Sequence, residues 1–249
     1  MTLALRRAGV PVFNGIEPLE ILGTADSGVQ AACFRDASGR THRLDCDAVA
    51  LGYHVRPEMQ LADLARCEFQ FDARTRQWLP RTDADGRSSV SGVYLAGDGA
   101  QVRGADAAEA AGRLAALAVL QDLGRPVDAK VISSLRHTLA KMDRFGQGLA
   151  QAFPWPAQQA QRLPDDAMLC RCEAITVGEL RRVVLEKGAT ETNRAKAFSR
   201  VGMGRCQGRY CGQAAAEIIA HAASIPLEQA GRQRGQAPVK PLSMATVKV

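Results

Sequence analysis

Over the first 50 residues, apolar and polar positions alternate in short runs. Residues 10–13, 18–22, 29–34 and 40–44 read as strands, parted by turn-forming stretches at 24–28 and 36–39. Three of them predict an antiparallel meander. Residues 47–51 (DAVAL) then predict a short buried strand ending at Gly52. From 56 to 90 the pattern is irregular and polar, with strand-like runs at 68–71 and 77–79. Residues 92–96 (GVYLA) predict a buried parallel strand that runs directly into Gly97-Asp98-Gly99.

The period then lengthens. Residues 104–123 predict a helix, with Asp106 and Glu109 near its positive end and Leu114, Leu117, Leu120 and Leu123 as its apolar face. Gly124 and Pro126 stop it. A second helix is predicted over 128–151 and is broken at Phe153-Pro154-Trp155-Pro156. Residues 157–168 read as a linker. In the compact stretch that follows, Thr176 and Glu179 form a capping box opening a helix with Leu180, Val183 and Val184 on one face, and Gly188 closes it. Shorter helices are predicted over 190–200 and 213–223. The polar, Gly-, Gln- and Pro-rich residues after 226 predict a loose tail.

Composition narrows the classes. Hydrophobic residues make up 46% of the 249, enough for a packed core. The net charge of +6 fits nucleic acid or an acidic protein partner, but aromatics are only 5% and no basic run interleaves with them, which argues against nucleic acid. No run approaches a membrane span and no signal peptide is evident, so a cytoplasmic protein with reduced thiols is expected.

Seven cysteines, an odd number, argue against a full disulfide framework. Cys33, Cys46 and Cys67 are scattered, whereas Cys170-Arg-Cys172 and Cys206-Gln-Gly-Arg-Tyr-Cys211 stand as two pairs separated by 33 residues, 173–205. Two helices between the pairs would return the chain to its start and bring the four thiols together. Four thiolates suit an iron–sulfur cluster. They also suit tetrahedral zinc, although Cys-x-Cys is a less usual zinc spacing than Cys-x-x-Cys. Chance placement of four structural cysteines fits poorly, because their Arg- and Gly-rich loops offer little apolar burial. The run Val201-Gly-Met-Gly-Arg-Cys206 lets backbone N–H groups approach sulfur closely. Arg171, Arg205 and Arg209 would offset the negative charge of a cluster.

The run from Leu169 to about Ala223 resembles the bacterioferritin-associated-ferredoxin-like 2Fe–2S domain. LCRCE at 169–173 and SRVGMGRCQGRYCG at 199–212 resemble, more narrowly, the C-terminal part of a flavoprotein family. That family includes the alpha subunits of opine oxidase and D-hydroxyproline dehydrogenase and the flavin subunit of hydrogen cyanide synthase. The small ferredoxin closes with Cys-x-x-Cys, so the Cys-x4-Cys here looks like the larger flavoproteins. SSVSGVYLAGDGA at 88–100 resembles the second flavin motif of two-dinucleotide-domain oxidoreductases. By that resemblance Gly97 and Asp98 would meet FAD, Asp98 at a ribityl hydroxyl, and the helix opening at Gly104 would face the flavin. AGVPVFNG at 8–15 and CDAVALG at 46–52 resemble the closing strands of a nicotinamide-type domain. No strand–GxGxxG–helix unit occurs, so the FAD site is expected to be incomplete and stand-alone FAD affinity poor.

The resulting expectation is an α/β chain. A partial FAD/NAD(P)-binding oxidoreductase domain (1–125) leads through a helical linker (126–167) to a 2Fe–2S domain (168–225) and a tail (226–249). It resembles the C-terminal half of a longer flavoprotein, as a truncated, split or fragmentary product. The expected function is electron transfer between FAD and a 2Fe–2S cluster in an amine- or imino-acid-oxidising complex with flavoprotein dehydrogenase subunits. The alternative is a non-catalytic cluster or zinc scaffold that docks to a redox partner. No catalytic base is identifiable. His42, His54, His137 and His221 sit in no nucleophile motif, Trp78 and Trp155 read as packing residues, and Lys196 and Arg200 as solvated charge or a contact for an acidic partner.

Overall fold

Alternation in the first 50 residues does produce a meander. The computed structural model describes residues 2–52 and 54–239. The chain divides into two units, Met1–His54 and Val55–Val249. In the first, helix α1 (Thr2–Arg7) precedes strands β1 (Glu17–Thr24), β2 (Gly28–Arg35) and β3 (Thr41–Asp45), an antiparallel sheet in the order β1-β2-β3. The β1–β2 hairpin needs Gly23: its φ is +154°, and a Cβ there would overlap the carbonyl of Gly28. Asp36 organises the β2–β3 turn, accepting from the Ser38 and Arg40 backbone N–H groups at 2.9 and 3.1 Å and meeting His42 Nε2 at 2.6 Å. Ala31 and Phe34 are buried, and Phe34 stacks on the His42 ring. Residues 10–13 and 47–51, read as strands, form none.

The second unit opens with helix α2 (Gln60–Leu64) and a hairpin of β4 (Phe69–Asp72) and β5 (Gln77–Pro80). The parallel strand expected at 92–96 is absent. Between positive-φ glycines at 92 and 97, the run instead folds back on residues 86–88, with Leu95 N–H bonded to Gly86 and Ser88 N–H to Val93. Left-handed backbone at both ends confines the extended run to four residues. All sheets among the described residues are antiparallel.

A 3-10 turn (Gly97–Gly99) leads into α3 (Ala105–Asp122), and α4 (Ala129–Ala152) packs on it. Asp128 caps α4 by accepting from the Lys130 N–H. The buried face of α3 is Ala107, Ala110, Ala111, Leu114, Ala115 and Ala118, and only the first half of the leucine ladder joins it: Leu117 is partly buried, and Leu120 and Leu123 are exposed. A three-residue repeat falls behind the 3.6-residue turn and slides off the face, whereas steps of three and four stay on it. The alanines let α4 place Ile132, Leu135 and Leu139 against this stripe.

Helix α5 (Ala157–Gln161) and the small hairpin β6 (Met168–Cys170) and β7 (Ile175–Thr176) introduce the last region. Helices α6 (Val177–Lys187), α7 (Thr192–Ser199), α8 (Gly212–Ala222) and α9 (Leu227–Ala230) follow. The predicted capping box at Thr176 and Glu179 is present, and Gly188 ends α6 in the left-handed conformation. Val177, Leu180, Val184, Ala195, Val201, Ile218 and Ile219 are the core of this region. Two devices join it to the preceding residues. Arg76 makes a bidentate pair, 2.8 and 2.8 Å, with the fully buried Glu217 of α8. Residues 226–239, read as a loose tail, are held as a strap: Asn193 binds the carbonyl of Arg232 and the N–H of Arg234, and Arg232 reaches Asp63 at 2.6 Å. Arg232 also lies over the Phe69 ring at 3.6 Å. Among the described residues no helix is long and apolar enough to cross a membrane.

Candidate metal centre

Four cysteines far apart in sequence meet where β6, the glycine-rich loop and the start of α8 converge. Cys170 ends β6 and is buried, and Cys172 follows on the exposed turn. Cys206 sits half-exposed in the loop before α8, and the buried Cys211 is the N-cap residue of that helix. The side chains interact as Cys170 with Cys211 and Cys172 with Cys206, and Cys206 lies near enough to Cys211 to interact electrostatically. None forms a disulfide. Among the described residues, no three His, Cys, Asp or Glu side chains stand ready to hold a metal ion.

The loop has to be glycine where it crosses the first pair. A Cβ on Gly204 would overlap the Cβ of Cys172, so any larger residue would drive the two cysteine segments apart. Past Cys206, Gln207 and Gly208 take positive φ, +51° and +77°, and turn successive amides inward. Burial disfavours the Cys206 thiolate. The N–H of Tyr210, the Cys172 thiol and the N–H groups of Gly208 and Arg209 outweigh it, and they hold the Cys206 pKa below the usual thiol value. Cys211 behaves oppositely: burial, with Cys170 beside it, pushes its pKa up to about 12. A thiolate at Cys211 therefore needs a positive partner, which a bound metal supplies.

Lys196 of α7 is the nearby cation. Only 7% of its surface is exposed, no carboxylate lies within ion-pair distance of it among the described residues, and its charge interacts with Cys211. Burial lowers its pKa. Arg209 is committed elsewhere, paired with Glu58 and bonded to the carbonyl of Val239. Arg200 pairs with Glu173 at 2.8 Å, while Arg171 and Arg205 are exposed. Met203 and Tyr210 are exposed on the same loop.

The residues expected near a flavin lie at the start of α3. Gly97 has φ +57° and packs against Ala108, Asp98 is exposed within the 3-10 turn, and Gly104, at φ +91°, precedes α3 as its N-cap residue. The carbonyl of Asp98 accepts from Glu58 N–H at 2.9 Å, which fixes the turn.

Residues 168–221 match the family of BFD-like 2Fe-2S binding domains. The opine oxidase A-subunit of Agrobacterium tumefaciens is 37% identical over 251 residues, 98% of this chain and 48% of that protein. The chain is similar to one half of this subunit. Its likeness extends to hydrogen cyanide synthase subunit HcnB of Pseudomonas aeruginosa, 29% identical over 83% of this chain and 46% of that protein. The chain thus spans about half the length of the curated relatives it matches. It shares its fold with L-proline dehydrogenase from P. horikoshii: TM-score 0.73, 19% identity, 100% of this chain and 47% of that one. The shared fold is mixed α/β, and the 2Fe–2S-type domain match falls at residues 168–221 of it.

Proposed function

We propose that this chain is the electron-transfer part of a flavin-dependent oxidoreductase complex, of the amine- or imino-acid-oxidising kind, and that Cys170, Cys172, Cys206 and Cys211 hold its 2Fe–2S cluster. The observation that carries this reading is the convergence of four thiols as two pairs. A single tetrahedral ion asks for four sulfurs about one point, whereas a two-iron cluster asks for two at each iron. The match of residues 168–221 to 2Fe-2S binding domains supports the cluster over zinc. When bound, the cluster supplies one-electron transfer.

The chain's own residues set the conditions for that transfer. The N–H groups of Gly208, Arg209 and Tyr210 aimed at Cys206 stabilise negative charge on its sulfur, and Lys196 does the same from inside the protein beside Cys211. Gly204 keeps the cysteine segments at the necessary approach. The fit to FAD is partial. Gly97, Asp98 and Gly104 form a turn at a helix start that suits the polar part of a flavin, while the glycine fingerprint that cradles a pyrophosphate is not among these residues. FAD and the partner dehydrogenase subunits accordingly belong to the proposed complex as a whole, and this chain alone is expected to bind little FAD.

The test is anaerobic preparation of the chain followed by dithionite titration. A brown protein that bleaches on reduction is the expected result. A colourless protein carrying stoichiometric zinc would mean a structural scaffold instead.

A further inference from the structure

Five residues that line one cavity of about 250 Å³ each hold a buried side-chain polar atom without a hydrogen-bond partner: Arg56 Nε, Gln60 Oε1, Trp78 Nε1, Gln207 Oε1 and Gln233 Oε1. Buried polar groups are nearly always satisfied, so such a concentration points to a ligand. The glutamine orientations are fixed from behind. Gln60 Nε2 donates to the carbonyl of Gln207 at 3.2 Å, Gln207 Nε2 to that of Pro238 at 2.7 Å, and Gln233 Nε2 to that of Val201 at 3.2 Å. Each amide donates from its nitrogen to backbone, while its oxygen accepts no hydrogen bond. The oxygen of Gln233 rests against Gly202 and Gly208, where any Cβ would overlap it, which leaves those of Gln60 and Gln207 for a donor.

Charge decides the other half of the ligand. Three of the arginines around the cavity are neutralised: Arg76 by Glu217, Arg209 by Glu58 and Arg232 by Asp63. Arg56 has no carboxylate within ion-pair distance among the described residues, so the wall carries one uncompensated positive charge. The indole N–H of Trp78 is a second donor. Phe71 and Leu227 add apolar surface, which an inorganic anion would leave unused. The volume lies below the roughly 300–1,000 Å³ of pockets for drug-sized ligands and suits a small metabolite.

We propose that this cavity binds a small monoanionic hydroxy acid, with its carboxylate on Arg56 and Trp78 and its hydroxyl donating to Gln60 or Gln207. The site is separate from the four thiols, and the inference stands independently of the redox reading. It does touch the centre's scaffold, since Gln207 and Arg209 lie in the loop between Cys206 and Cys211.

The experiment titrates the full chain, carrying Trp155→Phe so that Trp78 is its only indole, with L-lactate, propionate and inorganic phosphate, and follows indole fluorescence. L-lactate should give a saturable change, and propionate, lacking the hydroxyl, should bind at least about tenfold more weakly. Arg56→Met should abolish the response, and Gln60→Leu or Gln207→Leu should narrow the gap between L-lactate and propionate. No saturable response to L-lactate overturns the proposal. So do equal affinity for propionate, tighter binding of phosphate, or unchanged binding in Arg56→Met. If Arg56→Met fails to fold by circular dichroism, the lactate-to-propionate ratio decides in its place, and a ratio unchanged in both Gln60→Leu and Gln207→Leu overturns the proposal.

Discussion

At the scale of the residue, the centre depends on positions where one side chain or its absence decides whether two segments can meet. Gly204 is the sharpest case. Gly204→Ala forces a Cβ into Cys172, and relief requires backbone movement costing about 1–3 kcal/mol. The variant should lose most of its iron by metal analysis while keeping its helical circular dichroism. Serine at that position should be no better, since the obstacle is the Cβ itself. Lys196 makes a different prediction. A buried cation beside Cys211 favours the more negative, reduced state of a cluster, so Lys196→Gln should lower the midpoint potential by on the order of tens of millivolts. Lys196→Arg should restore most of it, and spectroelectrochemical titration reads both. An unchanged potential in Lys196→Gln would show the lysine to be packing alone.

At the scale of the element, the features legible in the sequence are those that local chemistry specifies. The capping box of Thr176 and Glu179, the left-handed Gly188 and the two cysteine pairs all sit within a few residues of the groups they act on. What the sequence does not disclose depends on partners distant in the chain. Residues 226–239 read as a tail because their Gly, Gln and Arg pattern names no partner, yet Thr192, Asn193 and Asp63 hold them. The polar cavity unites residues 56–78 with 207–233, which no spacing rule connects. The leucine ladder of α3 misleads because its period is three rather than 3.6. Glu217 is equally opaque: an acid on an apolar helix becomes intelligible only once Arg76 arrives from the β4–β5 hairpin. Glu217→Ala leaves Arg76 without its partner, and stability should fall by about 3 kcal/mol in chemical denaturation.

At the scale of the whole molecule, ion pairs fasten the helical pair α3–α4 to the irregular residues before it and make its stability depend on pH. Hydrogen bonds from Arg87 and Tyr94 hold the Asp122 pKa at about 2, and those from Arg136 and Arg87 hold Asp85 below the usual carboxylate range. Both folded values lie below the unfolded one. The stabilisation is therefore complete above the ordinary carboxylate pKa and is lost as pH falls through the folded values. Helicity should decline between pH about 4 and about 2, and Asp122→Asn should flatten that dependence in an acid titration by circular dichroism. The redox assignment rests on the same architecture, because α6 and α7 carry the chain from one cysteine pair to the other. Electron paramagnetic resonance of the dithionite-reduced protein, with iron and acid-labile sulfide counted on the same sample, tests it most directly. The account predicts about two irons, two sulfides and one unpaired spin per chain, all lost together in Cys206→Ser. Anaerobically prepared protein with neither iron nor sulfide, or a Cys206→Ser variant that keeps the full signal, would contradict it.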